Sequence, residues 1–331
     1  RFIFGHPKFR NLIKAKKINS DIMSKDFLLN IKAQDVVNKL DIDGCTNTFT
    51  LKKNILQNIK DEALQNLNSP KAFSFDGKLN LPIEQKFINL EELQNFLIQE
   101  NMYVLKNDMS FRDNSKIKEI FTDKFFIDIA ENYLGSKKMT FSGTFFATNN
   151  ISNNLNYNDK KSLKSKTAQL YHCDVNFKKF FKIIIYLSDV KSEMDGAHVY
   201  IPGSHSQKHT RHIVTDRFSD EDVEKSYKRK NVYIGDAGTL FFVDNFGIHK
   251  GSTVENNFRT AILLEYGRGH FQNSKNAIFI PDAGMNITWT YQGNKLKKGQ
   301  KIFTGLGASP MGYALPASIG AYYATKSNQV V

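Results

Sequence analysis

The sequence predicts a mainly β fold: a double-stranded β-helix (a jelly roll, cupin-like) braced by helices and followed by an incomplete α/β segment. Three observations predict it. From Met139 to Tyr266 the chain reads as short apolar runs with alternation, separated by Gly, Asn and Asp turns, which points to an antiparallel sandwich or barrel. Before that stretch, apolar residues recur every three or four positions, which points to amphipathic helices. After about residue 275 the text changes to a strand, a turn and a small-residue helix.

The elements follow in order. Residues 1–50 are polar and give no assignment, and 1–80 as a whole stay poorly assigned. Asn54 to Leu67 reads as a helix, with Ile55, Ile59, Ala63 and Leu67 on one stripe and Ser69-Pro70 to stop it. Leu90, Leu93 and Leu97 repeat the pattern, and Asn101 to Leu105 reads as a short strand. Ile117 to Leu134 reads as one helix through Ile117, Phe121, Phe125 and Ile129, with Gly135 placed to cap it. The strands expected next are Thr140–Thr148, Gln169–Val175, Phe181–Leu187, His198–Ile201, Gly238–Asp244 and Thr260–Tyr266. Between the first two, 149–166 is rich in Asn, Ser and Lys and reads as a loop, either a lid or an insertion.

Chemistry gathers on these strands. His172 and Asp174 are two apart in an apolar run, so on a strand they point to one side while Cys173 faces the other. His249 follows a second run, Gly238 to Val243, and Arg259 opens a third, Arg259 to Leu264. Two histidines and one carboxylate suffice to hold a non-haem Fe(II) on one face and leave the other open. A guanidinium nearby can grip a carboxylate with two parallel hydrogen bonds. His-x-Asp alone is common by chance, so the surrounding text decides.

That text is Gln169-x-x-His172-x-Asp174, then Gly196-x-x-x-x-x-Pro202-Gly203-Ser204-His205, then Gly235-Asp236, His249 and Arg259. Over residues 85 to 272 it resembles the phytanoyl-CoA dioxygenase family of Fe(II)/2-oxoglutarate oxygenases. The resemblance implies that His172, Asp174 and His249 hold Fe(II) and act in catalysis. It implies that Arg259 pairs with the far carboxylate of 2-oxoglutarate, and that the product of the coupled decarboxylation is succinate. Gln169 is expected to hydrogen-bond the cosubstrate or water, and Ser252 to assist Arg259. His198, His205, His209 and His212 are expected to be loop or core histidines, the triad being filled without them. The substrate expected is a small organic or acyl molecule, anionic in character, whose identity the pocket loops do not disclose.

The second signature is Asp282-Ala283-Gly284, followed by Gly305-Leu306-Gly307-Ala308-Ser309-Pro310-Met311-Gly312-Tyr313-Ala314-Leu315-Pro316-Ala317 and Ile319-Gly320-Ala321. It is similar to the start of the diphosphate-binding domain of thiamine-diphosphate enzymes such as acetolactate synthase. That resemblance places Gly284 near the diphosphate and Met311 beneath the thiazolium ring, although the spacing from Gly307 to Met311 departs from the commonest form. The family's magnesium-binding Gly-Asp-Gly would follow Val331, so this chain alone is not expected to bind thiamine diphosphate and Mg tightly. The domains expected are 1–274 for the oxygenase and 275–331 for the thiamine-type segment. A hydroxylase joined to a thiamine-type lyase, as one chain or as partner subunits, would shorten an acyl chain by one carbon.

Composition narrows the class. The chain has 331 residues and two cysteines, Cys45 and Cys173, too few for a disulfide framework, so a reducing cytoplasm is expected. The start lacks the ordered features of a signal peptide, and the stretch 305–324, with two prolines, is a poor membrane span. The formal charge of +13 comes from scattered clusters: Lys160, Lys161, Lys164 and Lys166; Lys178, Lys179 and Lys182; Lys228, Arg229 and Lys230; Lys295, Lys297 and Lys298. They read as solvated loops and are not arranged along one helix with interleaved aromatics, so neither nucleic acid nor membrane is an expected partner. The competing reading is a non-catalytic jelly-roll scaffold or a nucleic-acid-binding protein with a basic surface.

Overall fold

The computed structural model describes residues 31–67, 70–75, 79–80, 86–111, 114–150, 157–174, 177–209, 212, 217–270, 278–284, 287, 290, 300–305 and 310–325. They fall into two compact units, one of 1–175 with 179–268 and the other of 176–178 with 269–331.

In the first unit the helices come early. They are α1 (Ala33–Asp43), α2 (Lys53–Gln65), α3 (Leu90–Gln99), α4 (Lys116–Phe121) and α5 (Lys124–Leu134). The strands among and after them are β1 (Phe49–Thr50), β2 (Lys71–Ser74), β3 (Leu79–Asn80), β4 (Met102–Met109), β5 (Thr140–Thr148), β6 (Phe177–Tyr186), β7 (His198–Tyr200), β8 (Asn231–Tyr233), β9 (Thr239–Val243), β10 (His249–Gly251) and β11 (Arg259–His270). Helix α6 (Tyr157–Lys166) precedes β6, and α7 (Asp220–Ser226) precedes β8.

Eight strands form one sheet in the order β1-β9-β6-β11-β5-β4-β2-β3, and three form a second in the order β10-β7-β8. Alternation on β6, β9 and β11 explains why the large sheet has two covered faces. Ile183, Ile185, Leu240, Phe242, Ile262 and Leu264 point one way, into a core shared with Val37, Leu40, Ile59, Leu97, Phe121 and Ile129 of the helices. Ile184, Tyr186, Phe241, Val243 and Ala261 point the other way and pack on Ala197, Tyr200 and Tyr233 of the small sheet. The two sheets therefore face each other with helices behind the larger one, the layering a jelly roll requires. Among the described residues no helix is long and apolar enough to cross a membrane.

Several expectations need correction. The single helix over 117–134 is two, because the Asp123 side chain accepts the N–H of Phe125 and so caps a new helix. Gly135 does terminate the second, in the left-handed conformation at φ 63°. Residues 149–166 are not all loop: Tyr157–Lys166 is helical and buries Leu163, while 151–156 lie outside the described residues. Within the unassigned first fifty residues, α1 buries Ala33, Val36, Val37 and Leu40 along one stripe and stops at Gly44; residues 1–30 lie outside the described ones. The lysine clusters are not uniformly solvated loop either. Lys179 and Lys182 are on β6, Lys179 over the Tyr133 ring at 4.1 Å and Lys182 inside the barrel. Lys295, Lys297 and Lys298 lie outside the described residues.

In the second unit β12 (Ile278–Phe279) and β13 (Lys301–Ile302) pair in parallel, separately from both sheets of the first unit, and α8 (Ala314–Thr325) follows. The Asp282 carboxylate accepts the N–H of Ala283 and, at 2.9 and 3.0 Å, that of Gly312. Gly284 has φ +76°, and Met311 is fully exposed.

Candidate metal centre

Three separate local structures bring the site together. The expected strand 169–175 is not a regular strand. Tyr171 pairs with Phe218 while His172 pairs with His249, so the segment changes partner within one residue. The bonds of the second bridge run both ways: His172 N–H to His249 O at 2.9 Å, and His249 N–H to His172 O at 3.0 Å. Two residues on, the Asp174 N–H donates to Asn245 O at 2.8 Å. This pairing puts His172 opposite His249, with ring centroids 4.2 Å apart, and carries Asp174 past them.

The Pro202-Gly203-Ser204-His205 turn fixes the other half. The buried Ser204 hydroxyl donates to Ile201 O at 2.6 Å and accepts the Ile248 N–H at 2.7 Å, and Ile201 N–H donates to Ile248 O at 2.9 Å. The turn thereby clamps the residue immediately before His249.

The side chains converge. One ligand atom from each of His172, Asp174 and His249 lies within 4.8 Å of the other two, the group among the described residues suited to a metal ion. His172 Nε2 is 3.7 Å from Asp174 Oδ1, and His249 Nε2 is 3.8 Å from Asp174 Oδ2. Both histidines donate Nδ1–H to a main-chain carbonyl, Leu170 O at 2.8 Å and Gly247 O at 3.0 Å. That fixes the tautomer and leaves an Nε2 lone pair on each ring directed at one region, the usual arrangement behind a metal-binding imidazole. Asn245 Nδ2 donates to His249 Nε2 at 3.1 Å, consistent with the lone pair being there.

Electrostatics favour neutral imidazoles and an ionised carboxylate. Burial, reinforced by His172, pulls the His249 pKa down to about 3 against the opposing pull of Asp174. Burial also lowers His172, with Asp174 opposing. Burial by itself would raise the Asp174 pKa; the Lys182 ammonium, then His249 and His172, override it and hold the carboxyl far below its ordinary range. Lys182 Nζ is 2.7 Å from Asp174 Oδ2 and 3.4 Å from Glu265 Oε2, both pairs largely buried. Burial disfavours that ammonium, but the two carboxylates more than restore it. Two neutral imidazoles and one carboxylate held by one oxygen suit a divalent first-row cation.

Arg259 opens β11 beside this group. Its Nη1 donates a short hydrogen bond to Gly196 O, while Nε is buried without a partner. Gly196 has φ +82°, and a Cβ there would meet Val254 and lie 3.1 Å from Arg259 Cδ, so a glycine is needed in this turn beside the Arg259 side chain. Gln169 is buried, and its Oε1 accepts the Tyr103 hydroxyl at 2.8 Å. The Ser252 hydroxyl donates to Glu193 Oε1 at 3.3 Å. His198 is a core histidine and not one of the three ligands. It is buried on β7 with its ring stacked on His249 at 5.5 Å. His205 and His209 bond main-chain carbonyls, and His212 bonds the Tyr227 hydroxyl, in line with structural roles. Gly284 and Met311 belong to the second unit and are described above.

Sequence reasoning missed Lys182, Glu265, Asn245 and His198. Lys182 did leave a signal, a charge inside the apolar run Phe180 to Ile185.

No family model matches the chain, and no curated protein is similar to it at a significant level. Solved structures are similar in fold. AviO1 from Streptomyces viridochromogenes Tue57 is 12% identical over 72% of this chain and 95% of its own, with a TM-score of 0.44. SnoN, an α-ketoglutarate-dependent non-haem epimerase from nogalamycin biosynthesis, is 12% identical over 71% and 80%, with a TM-score of 0.46. HygX from Streptomyces hygroscopicus, determined with nickel, 2-oxoglutarate and hygromycin B bound, is 11% identical over 72% and 87%, with a TM-score of 0.44. At these identities and scores the likenesses assign no residue and no reaction to this chain.

Proposed function

We propose that the protein is an Fe(II)- and 2-oxoglutarate-dependent oxygenase of the phytanoyl-CoA dioxygenase type that hydroxylates a small organic or acyl substrate. The observation that carries the reading is the approach of two Nε2 lone pairs and one carboxylate within 4.8 Å, inside a two-sheet barrel. His172, Asp174 and His249 would hold the metal. When bound, Fe(II) would supply the place where dioxygen reacts, one oxygen atom going to the hydroxylated substrate and the other to the succinate left when 2-oxoglutarate loses carbon dioxide.

The remaining work falls to the chain itself. The Leu170 and Gly247 carbonyls hold Nδ1–H of each histidine, so both Nε2 lone pairs would serve the metal once the Asn245 amide gives up His249 Nε2. Lys182 pairs with Asp174 Oδ2, which leaves Oδ1 as the less encumbered oxygen and favours one-oxygen ligation. Arg259 would bind the far carboxylate of the cosubstrate; among the described residues no carboxylate is paired with it, which supports that role. Gln169, held through Oε1 by the Tyr103 hydroxyl, would hydrogen-bond the cosubstrate or water with its remaining amide N–H groups. Ser252 would assist Arg259, whose Nη1 lies 3.4 Å from where a Cβ on the preceding residue, Gly251, would stand.

For the second unit, the reading as the opening of a thiamine-diphosphate-binding domain rests on its sequence motif. The bond from Gly312 N–H to Asp282, just before α8, is compatible with it. Gly284 and Met311 would be its cofactor contacts, and calorimetry with thiamine diphosphate and Mg should find no tight binding by this chain alone.

The oxygenase reading is tested without oxygen. With Fe(II) and 2-oxoglutarate, the protein should develop a weak visible charge-transfer band, and on admission of air it should release succinate. Asp174→Ala removes the anionic ligand and should abolish both. A variant that keeps the band and the succinate would refute the ligand assignment.

A further inference from the structure

Inside the barrel, next to the metal centre, one polar side chain lacks a partner and has no part in the scheme above. His198 is 6% exposed, and its Nε2 is fully buried without a hydrogen bond. It is not a core histidine that the fold has satisfied. Leaving such a nitrogen unpaired in an interior is costly, and the cost is retained where a ligand completes the bond.

The neighbours say which ligand. His198 lies on β7 opposite Gly251 of β10, two residues beyond His249, and its ring stacks on His249 at 5.5 Å with 28° between planes. On the other side is Arg259. Its Nη1 bonds the carbonyl of Gly196, two residues before His198, and lies 3.4 Å from where a Cβ on Gly251 would stand. His198 thus bridges the interval between the metal ligands and the guanidinium. Phe241 and Tyr233 close the wall behind it, at ring centroids of 5.6 and 6.0 Å. Its main-chain N–H is taken by the Tyr186 hydroxyl at 2.8 Å, which fixes the strand that carries it. Arg259 supplies a second unpaired buried donor, Nε. Two buried nitrogens without partners near the metal ligands, one of them on a cation with no carboxylate paired to it among the described residues, suit an anion with several oxygen acceptors.

We propose that His198 is a binding residue for the anionic cosubstrate: its Nε2–H donates to an oxygen of the keto-dicarboxylate lying between the metal and Arg259. The inference rests on the oxygenase reading above. The consequence is selectivity. The site tests its keto-acid at the metal, at the guanidinium and at a third point between them, and a ligand that cannot meet the His198 donor leaves it unsatisfied.

The test uses the full chain loaded with Ni(II), titrated calorimetrically with 2-oxoglutarate. His198→Leu should weaken 2-oxoglutarate binding about ten- to a hundredfold, the usual span for a hydrogen bond to a charged group, while Ni(II) affinity stays unchanged. His198→Gln keeps an N–H donor at a similar reach and should recover most of the loss. Equal 2-oxoglutarate affinity in wild type and His198→Leu overturns the inference and leaves the oxygenase reading standing. A wild type that takes up Ni(II) but no 2-oxoglutarate sinks both together. Should the leucine variant fail to fold, wild-type protein labelled with 15N-histidine and loaded with Zn(II) gives the answer. Adding 2-oxoglutarate should slow exchange of one imidazole Nε2–H and shift it downfield, in a resonance missing from His198→Gln. An unmoved His198 resonance overturns the inference.

Discussion

Replacing Lys182 by Met is the sharpest perturbation of the centre, because it removes one charge from a buried triplet and nearly keeps the volume. The ammonium is 2.7 Å from Asp174 and 3.4 Å from Glu265, with side-chain exposures of 13%, 21% and 13% for Lys182, Asp174 and Glu265. At an effective dielectric of about 20 these separations correspond to gross attractions of about 6 and about 5 kcal/mol. Desolvation of all three groups cancels much of that, and measured losses on removing one partner of a buried pair are about 3–5 kcal/mol. The methionine variant leaves two carboxylates without their shared cation. For a unit of this size, with an unfolding entropy of about 2.1 cal/mol/K per residue, that loss lowers Tm by roughly 5–10 °C.

The metal supplies the second half of the test. A divalent cation bound by Asp174 replaces the charge that Lys182 gave it, although Glu265 stays unpaired. The gap between wild type and Lys182→Met should therefore be widest in chelator-treated protein and narrower with saturating Zn(II), as read by scanning calorimetry. Chelator-treated variant melting within about 2 °C of wild type would refute the buried triplet. A gap of equal size with and without Zn(II) would show that the ammonium and the metal do not share Asp174.

Three further outcomes follow from the same geometry. Arg259→Lys keeps the charge but loses the fork, so the 2-oxoglutarate concentration for half-maximal succinate release should rise at least tenfold; unchanged dependence would remove Arg259 from the cosubstrate site. Asp123→Ala deletes the cap that starts α5 and should cost about 1 kcal/mol in urea unfolding with activity intact; a loss near zero would return 117–134 to a single helix. The third is a pH effect on metal-free protein: His249 titrates near 3 in the folded state and ordinarily near 6.5. The unfolded chain therefore takes up a proton that the native state refuses. The stability this neutral ring contributes is complete above about pH 6.5 and is lost as pH falls toward 3. Urea midpoints should drop across that window, less steeply in His249→Leu, and an equal slope in the two proteins would contradict the assignment.

Much of this architecture was legible because it rests on short-range periodicity. Thr140–Thr148 alternates and is bounded by turn residues, and it forms β5 with those bounds. The Ile59 and Ala63 stripe forms α2, and Gly135 ends α5 with a left-handed residue. The site residues were nominated by a motif, yet their convergence depends on a bridge between His172 and His249 that no local pattern encodes. Residues 169–175 alternate like a strand but split their pairing between Phe218 and His249, so periodicity overstated their regularity. The break at Thr122-Asp123 was visible as a capping residue inside an apolar repeat, and the repeat concealed it.

What the sequence hid is the part that depends on which strands lie side by side. Lys182 looks like one of many lysines in a basic chain, and only the parity it shares with Ile184 and Tyr186 turns it inward. Its partner Glu265 shares inward parity with Ala261 and Leu263 on β11, and the two meet because β6 and β11 are neighbours in the large sheet. His198 is similar: one histidine among several in its stretch of sequence, brought beside His249 by the pairing of β7 with β10. Ligands that contact a metal can be recognised by residue type, because few side chains can do that work. The groups that hold those ligands need only a charge or an N–H in the right place, and many residue types provide one. Their roles become readable only when the pairing of strands has placed them.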